Sequence, residues 1–256
     1  MACSIGIAAA AGPEFARTIA PAIEDAGFSA LWVNDTPGHD ALEVLAAVAE
    51  VTGRLGLATG VIPVDRRPGE EIARRVVDLG LPDDRLTLGI GSGGLRHGAL
   101  DAVRTAVDHL RDGTPARLVV GALGPRMRHL GATTADGVLL SWLSPEIAAA
   151  QADQAHRAGT AAHAALYVRA ALDADAMPRL EAERDAYAGY PAYAANYARL
   201  GLSPADTVIT PETAADRLPA YLGGVDEVVL RMMLADPSDG AAALRFIDRA
   251  AEIAVP

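Results

Sequence analysis

The sequence contains no lysine, so all 22 of its basic residues are arginine. A Schiff-base enzyme, a lysine general base and the lysine-bearing phosphate loop of nucleoside triphosphatases are therefore excluded. The one cysteine, Cys3, excludes an intramolecular disulfide and a cysteine zinc site. Aromatic residues make up only 4% of the chain. Its core must therefore be built mainly from alanine, valine, leucine and isoleucine.

Several classes of partner are also disfavoured by what the sequence lacks. No apolar stretch approaches the roughly 20 residues of a membrane span, and the first residues have no basic segment of the kind that begins a signal peptide. The net charge of −11 argues against nucleic acid as a partner. No pair of histidines and carboxylates has metal-ligand spacing, so no metal site is expected. We expect a cytoplasmic protein that does not bind membranes.

Eight apolar segments of the 256-residue chain predict buried strands, because their hydrophobic runs are continuous. The first seven strand starts are 21 to 31 residues apart, which is close to the length of one βαβ unit. Alanine-rich amphipathic segments lie between them. This order predicts a single α/β domain, residues 1–256, folded as a (β/α)8 TIM barrel. An open doubly wound sheet is the alternative, because strand count does not prove closure. The predicted strands begin near Ser4, Ser29, Leu55, Leu86, Ala116, Gly137, Ala164 and Asp226.

The last interval between predicted strands, from Ala164 to Asp226, is 62 residues long and predicts two or three helices. Elsewhere, three of the strands run directly into glycine turns, within residues 55–63, 86–94 and 116–126. Glycine lets backbone N–H groups approach a ligand closely. Several such turns at one end of a sheet are typical of a site for a phosphorylated cofactor. The pattern therefore favours a cofactor-dependent enzyme.

Five segments resemble the bacterial luciferase-like oxidoreductases, and most closely the actinobacterial members that use the deazaflavin coenzyme F420. The segments are EDAGFSALWVND (24–35), DALEVLAAVAEVTGRLGLATGVIP (40–63), RLTLGIGSG (85–93), GALGPRMRHLGATTADGVLLSWLSPE (121–146) and YPAYAANYARLG (190–201). The resemblance implies a TIM barrel with its cofactor at the carboxyl ends of the strands. The implied activity is hydride transfer between F420 and a small organic substrate.

The resemblance also assigns roles to individual residues. Gly60-Val61 would form a non-proline cis peptide against the flavin ring, and Asp35 would face that ring. Trp142 and His97 are candidates for the substrate pocket because of their positions, at the end of the sixth strand and in the loop after the fourth. The phosphate side chain of the cofactor would lie against two glycine turns. These comprise Gly91, Ser92, Gly93 and Gly94, and Gly121, Ala122, Leu123, Gly124, Pro125 and Arg126.

Several of these residues have equally ordinary explanations. Asp35 could cap the helix that follows it, Arg126 could be a surface arginine, and Trp142 could pack in the core. His39, like Asp35 a candidate catalytic residue, could move a substrate proton or simply be exposed to water.

The sequence departs from the family pattern in two places. Thr36 stands where many of the dehydrogenases have histidine, and His39 lies further along. The loop after the fourth strand, between Gly94 and Ala116, contains one helix and little else, where relatives carry a longer loop.

Three other functions stay open, and the two departures support the ones without turnover. One is an FMN-dependent monooxygenase, with FMN replacing F420. Another is a flavin- or F420-binding protein without turnover, and a third is a barrel that has lost the site and serves as a subunit of a larger assembly. The helices around residues 40–52 and 69–80 are apolar enough to suggest a homodimer, which the family also favours.

Overall fold

A computed structural model describes residues 1–254. Eight parallel strands form a closed ring, in which the last strand along the chain pairs with both the first and the seventh. The predicted (β/α)8 barrel is therefore confirmed, and the open sheet is wrong. In ring order the strands are β1 (Ala2–Ala8), β2 (Ala30–Asn34), β3 (Gly56–Thr59), β5 (Leu86–Gly91), β6 (Arg117–Gly121), β7 (Gly137–Ser141), β8 (His163–Ala170) and β10 (Glu227–Met232).

Each of the eight predicted strands is present, and helices connect them on the outside. Two short strands outside the ring were not predicted: β4 (Ile62–Pro63) pairs with β5, and β9 (Val208–Ile209) pairs with β8. The long interval before β10 contains three helices, as predicted. The helices are α1 (Pro13–Asp25), α2 (Ala41–Ala49), α3 (Gly69–Asp78), α4 (Ala99–Gly113), α5 (Pro125–Thr134), α6 (Pro145–Ala158), α7 (Met177–Gly189), α8 (Pro191–Leu200), α9 (Ala214–Leu222) and α10 (Gly240–Ala254).

The strand predicted from Leu55 ends at Thr59, and the glycine turn that follows it leads into the short strand β4 at Ile62. Where the backbone pairing of β3 with β5 ends, the side chain of Thr59 supplies hydrogen bonds to β5. Its Oγ1 donates to the carbonyl of Gly89 and accepts from the amide of Gly89, both at 2.9 Å. The two strands lie very close here, since a Cβ on Gly89 would stand 2.0 Å from the carbonyl oxygen of Thr59.

The barrel interior is filled by a small number of large side chains. Trp32, Tyr167, Leu139 and Val119 are buried together there. The hydroxyl of Tyr167 lies over Gly6, where a Cβ would stand 2.4 Å from it. The few aromatic residues of the chain are thus used partly to fill the barrel, which needs bulky groups at its axis.

A buried polar cluster closes the amino-terminal end of the barrel around Glu227. Its Oε1 accepts from Ser4 Oγ at 2.5 Å and from Trp32 Nε1 at 2.7 Å, and its Oε2 lies 2.9 Å from His163 Nε2. Burial raises the pKa of Glu227, but the hydrogen bonds from His163, Ser4 and Trp32 together lower it by more. The pKa of Glu227 therefore lies below its ordinary value. The cluster therefore favours the ionised carboxylate.

We expect Glu227→Gln to lower the free energy of unfolding at neutral pH by about 2 kcal/mol, the scale of a charge-assisted hydrogen bond. Because the folded-state pKa of Glu227 is depressed, its contribution is complete above the unfolded value near 4.5 and is lost as pH falls through the folded value. The variant should therefore lose less stability than wild type between about pH 5 and about pH 3. Urea unfolding at each pH measures this. Glu181→Gln, on the exposed face of α7, is the control, and equal pH slopes in wild type and Glu227→Gln would contradict the account.

The two helices that suggested a homodimer turn most of their apolar side chains inward. In α2, Leu42, Val44, Leu45 and Val48 are buried against the barrel of the same chain. In α3, Ile72 and Val76 are likewise buried, and Val77, which is 70% exposed, is the exception. The homodimer remains a prediction with little apolar surface to support it. None of the helices within residues 1–254 is both long and apolar enough to cross a membrane.

Candidate active site

The carboxyl ends of the strands form a surface that we call the mouth, where the active sites of TIM barrels lie. It brings together the predicted cofactor residues of three strands and two arginines that were not predicted. The mouth consists of Asn34, Gly60 and Val61, Gly91, Gly121, Ser141 and Trp142, Arg169 and Arg231.

Asp35 follows β2 and has both carboxylate oxygens engaged. Oδ1 accepts from the amide of Ala41 at 3.1 Å, and Oδ2 accepts from Arg66 Nη2 at 2.8 Å. Burial raises the pKa of Asp35 despite these partners. Asp40 provides the N-cap of α2, accepting from the amide of Leu42 at 2.9 Å. Asp35 thus supports the start of α2, as its alternative interpretation held, and its place beside the ring remains a prediction.

His39 lies in the exposed loop between β2 and α2. It borders a cleft of about 480 Å³ together with Asp35 and Arg66. Thr36, which replaces the family histidine, accepts from the amide of His39 through its carbonyl at 3.0 Å. The Oγ1 of Thr36 is buried and has no hydrogen-bond partner among residues 1–254. The arrangement leaves His39 accessible to a substrate.

The peptide bond between Gly60 and Val61 is cis, as the resemblance implied. Asn34 Nδ2 donates to the carbonyl of Gly60. The side chain of Val61 lies over two glycines of neighbouring strands, since Cβ atoms on Gly91 and Gly121 would stand 2.7 and 3.0 Å from its methyl groups. These glycines therefore leave room for Val61, a contact that the sequence did not predict. Their roles toward a cofactor remain predictions.

The turn after β5 contains Ser92, Gly93 and Gly94, and the carboxylate of Asp65 lies directly over it. The amide of Gly94 donates to Asp65 Oδ2 at 2.8 Å. Gly93 has a φ of 59°, and a Cβ there would stand only 1.9 Å from Asp65 Oδ1. Part of the predicted phosphate seat is thus lined by a negatively charged side chain.

The second predicted phosphate segment, from Gly121 to Arg126, connects β6 to α5. The buried Ala122 donates its amide to the carbonyl of Leu139 at 3.0 Å, so this amide is occupied. Leu123 and Gly124 are partly buried, and Pro125 and Arg126 are exposed at the first turn of α5. Arg126 has no ion-pair partner within the part of the chain that the structure describes. It is therefore accessible to an anion from solvent.

The two predicted substrate-pocket residues differ in position. His97 is exposed in the loop before α4, while Trp142 is buried immediately after β7. Trp142 adopts a φ of 58°, which is uncommon for a bulky residue. Its Nε1 is buried without a hydrogen-bond partner among residues 1–254.

Arg169, at the end of β8, organises a cluster above the mouth that the sequence did not predict. Its guanidinium group lies 4.1 Å from the centre of the Trp142 ring and 4.8 Å from that of Tyr187. It donates to Ser141 Oγ at 2.7 Å and to Glu183 Oε1 at 3.0 Å. Tyr193 packs edge-on against Tyr187, with ring centres 4.9 Å apart. Helices α7 and α8, residues 177–200, cover the mouth at this cluster, and we call them the roof.

Glu183 joins the roof to two strands of the barrel. Besides its bond to Arg169, it lies 3.9 Å from Arg231 of β10. A signal for this cluster exists in the sequence: Arg169 and Arg231 are arginines near the carboxyl ends of otherwise apolar runs, and they are paired in register. A charge in a buried strand requires a partner. The carboxylate that pairs with them, Glu183, is one of three acidic residues in α7 and could not be identified from the sequence pattern alone.

The two ends of the predicted cofactor site differ in their unpaired and paired polar groups. On the ring side, Trp142 Nε1 and Tyr167 Oη are buried donors without partners in residues 1–254. Tyr167 lies beside Gly60, just beneath the mouth. On the phosphate side, the turn at Gly93 already contains the carboxylate of Asp65. The two ends of the predicted site therefore differ in how well they suit the implied cofactor.

A cleft of about 1110 Å³ opens at the opposite, amino-terminal face of the barrel. Its charged residues are largely paired with one another: Arg111 with Asp136 at 2.7 Å, and His156 with Asp226 at 2.8 Å. In TIM barrels the residues of the amino-terminal face usually contribute to stability and not to catalysis. We therefore place the candidate site at the mouth. No group of three or more His, Cys, Asp or Glu side chains within residues 1–254 is arranged to hold a metal ion.

Residues 4–109 match the model of a family described as luciferase-like monooxygenase. This part of the chain is similar to that family. The matched stretch runs from β1 into α4 and includes Asp35, Gly60-Val61 and the turn after β5. The resemblance found in the sequence is thereby confirmed. None of the curated proteins matches this chain in sequence.

Solved structures share this barrel fold over nearly the whole chain. An F420-dependent secondary alcohol dehydrogenase in complex with an F420–acetone adduct has a TM-score of 0.72 at 15% identity, covering 99% of this chain and 98% of that one. The F420-dependent tetrahydromethanopterin reductase from Methanopyrus kandleri has a TM-score of 0.72 at 17% identity, with coverages of 100% and 99%. The oxygenating constituent of 3,6-diketocamphane monooxygenase from Pseudomonas putida, in complex with FMN, has 0.70 at 14%, with 99% and 98%. At these identities the likeness establishes the fold.

Proposed function

We propose that this luciferase-like chain is an oxidoreductase that holds a flavin-type ring at the mouth and transfers a hydride between that ring and a small organic substrate. The deazaflavin ring of F420 is the first candidate, and the isoalloxazine ring of FMN is the alternative. The observation that carries the proposal is the pair of buried donors, Trp142 Nε1 and Tyr167 Oη, without partners among residues 1–254. Buried polar groups are normally satisfied, and a flavin-type ring offers carbonyl and ring-nitrogen acceptors.

The protein's contribution would be to position the ring and exclude water, while the bound cofactor supplies the hydride chemistry. The roof suits the second task, because Trp142 is buried and Tyr187 packs on it with ring centres 4.9 Å apart. The same cluster holds two buried arginines, Arg169 and Arg231, against the single carboxylate of Glu183, so its net charge is positive. Such a charge would favour the reduced, anionic form of a nearby ring.

We expect His39→Ala to leave ring affinity within about twofold and to slow single-turnover hydride transfer by about a hundredfold, the lower range for general acid–base catalysis. His39 is exposed beside the cleft that Asp35 also lines, so it can exchange a proton with substrate without supporting the fold. Stopped-flow absorbance of the cofactor measures the rate. The matched control is His129→Ala, an exposed histidine on α5. Equal rates for His39→Ala and wild type would remove His39 from the chemistry.

A cofactor-binding protein without turnover is the second candidate, and the geometry of Asp35 favours it. Its two carboxylate oxygens are held by Ala41 and Arg66 rather than directed to a ligand. In that case the ring would bind, yet no candidate substrate would change its redox state.

A single-turnover experiment separates these functions. Protein loaded with reduced F420 is mixed anaerobically with a panel of ketones, aldehydes and enones, and oxidation of the ring is followed by absorbance. Protein loaded with reduced FMN is mixed with the same panel in air. Anaerobic oxidation of F420 by a substrate supports the proposal. Substrate oxygenation with FMN would favour a monooxygenase, and binding without either reaction would favour the carrier.

A further inference from the structure

We propose that Asp65 selects against a phosphate at the mouth, so that the site takes a flavin-type ring with an uncharged ribityl chain in preference to its phosphorylated form. The proposal rests on the proposed function, because it assumes that such a ring binds at the mouth. It concerns the turn after β5, where the carboxylate of Asp65 lies against Gly93 and Gly94.

The carboxylate occupies the position that an anion would take in this turn. Successive backbone N–H groups and a glycine with positive φ form a concave seat for negative charge. Here the amide of Gly94 donates to Asp65 Oδ2 at 2.8 Å, and Oδ1 lies within 1.9 Å of where a Cβ on Gly93 would be. The carboxylate of Asp65 thus occupies the anion-binding position of this turn.

Asp65 is held in this position by the strand that precedes it. The amide of Val64 donates to the carbonyl of Gly91 at 2.9 Å, and Pro63 is paired with Gly91 in the β4–β5 ladder. The carbonyl of Pro63 then accepts from the amides of Arg66 and Arg67, both at 3.1 Å, which forms a tight turn around Asp65. The carboxylate therefore does not depend on a long mobile loop for its place.

The charge of Asp65 is not neutralised by the two arginines that follow it in the sequence. Arg66 is paired with Asp35 at 2.8 Å, and Arg67 with Asp40 at 2.8 Å. Within residues 1–254, no ion pair with Asp65 is formed. A phosphate entering the turn would meet a like charge at hydrogen-bond distance and would have to displace it, whereas a hydroxyl of a ribityl chain could donate to the same carboxylate.

The test compares riboflavin with FMN, which share one ring and differ in a phosphate. Each is titrated into the cofactor-free protein at low salt, and ring fluorescence reports binding. The deazaflavin pair, F420 and its phosphate-free ribityl ring, is measured in the same way. We expect wild type to bind the phosphate-free member of a pair at least tenfold more tightly. Asp65→Asn, which keeps the shape and the acceptor oxygen but removes the charge, should bring the ratio close to one by strengthening the phosphorylated ligand.

Asp153→Asn is the matched control, because Asp153 is an exposed aspartate on α6 and its replacement changes the net charge equally. It should leave the ratio at its wild-type value. Tighter binding of the phosphorylated ligand by wild type, or a ratio that Asp65→Asn does not change, would overturn the proposal while leaving the proposed function standing. Failure of all four ligands to bind wild type would overturn both.

Discussion

Gly89→Ala is expected to lower the free energy of unfolding by about 4 kcal/mol or to prevent folding, an effect beyond ordinary overpacking. The new Cβ would stand 2.0 Å from the carbonyl oxygen of Thr59, and that oxygen belongs to the backbone of the adjacent strand. The two strands cannot separate without breaking both hydrogen bonds between Thr59 Oγ1 and the backbone of Gly89. The barrel wall would therefore open beside Gly60-Val61.

Thermal unfolding measures this effect, and we expect a fall in Tm of about 10 °C for a chain of this size. Gly53→Ala is the control, because nothing lies within 4 Å of a Cβ at Gly53. It should change the free energy of unfolding by less than about 0.5 kcal/mol. If Gly89→Ala unfolds at the same temperature as Gly53→Ala, the close contact between β3 and β5 is not a feature of the protein in solution.

Glu183→Gln is expected to lower the free energy of unfolding by about 3 kcal/mol, because it leaves the guanidinium group of Arg169 buried without its carboxylate. Arg169 is only 4% exposed and donates to Glu183 at 3.0 Å. Burial raises the pKa of Glu183, yet the charges of Arg169 and Arg231 lower it more, so the carboxylate is favoured. Its contribution is therefore present above the unfolded pKa of glutamate and is lost as pH falls through the depressed folded value.

The loss of stability in Glu183→Gln should be concentrated in the roof. Hydrogen exchange in residues 177–200 should quicken in Glu183→Gln, while exchange in β1 and β2 should not change. Glu181→Gln, an exposed neighbour on α7, is the control. The double variant Arg169→Met with Glu183→Leu should be more stable than Glu183→Gln, since it leaves one buried arginine, Arg231, without its carboxylate instead of two. Stability of Glu183→Gln equal to wild type would mean that the ion pair does not hold the roof.

The barrel was predictable because each of its units carries a local signal. The continuous apolar run of residues 86–91 and the amphipathic pattern of α6 each depend on a few neighbouring residues. The order of these units then limits the fold to a barrel or an open sheet. The short strands β4 and β9 were missed, because two residues carry no periodicity.

The candidate site was predictable in location but not in its contacts. Glycine turns at 91–94 and 121–124 marked the correct end of the sheet. What fills those turns depends on distant residues: Val61 occupies the space over Gly91, and Asp65 lies over Gly93. The roof depends on Glu183, from a helix that follows the barrel strand it contacts. Such partners follow from the closed fold and not from spacing along the chain.

The central claim is that the mouth binds a flavin-type ring, and a binding titration on the intrinsic fluorescence tests it most directly. The chain has two tryptophans, and Trp142 lies at the mouth whereas Trp32 is bonded to Glu227 at the other end of the barrel. We predict that F420, FMN or their phosphate-free rings quench the emission saturably, and that Trp142→Phe removes most of the quenching. No saturable quenching by any of these rings up to about 1 mM, in a protein whose fold is intact, would contradict the claim.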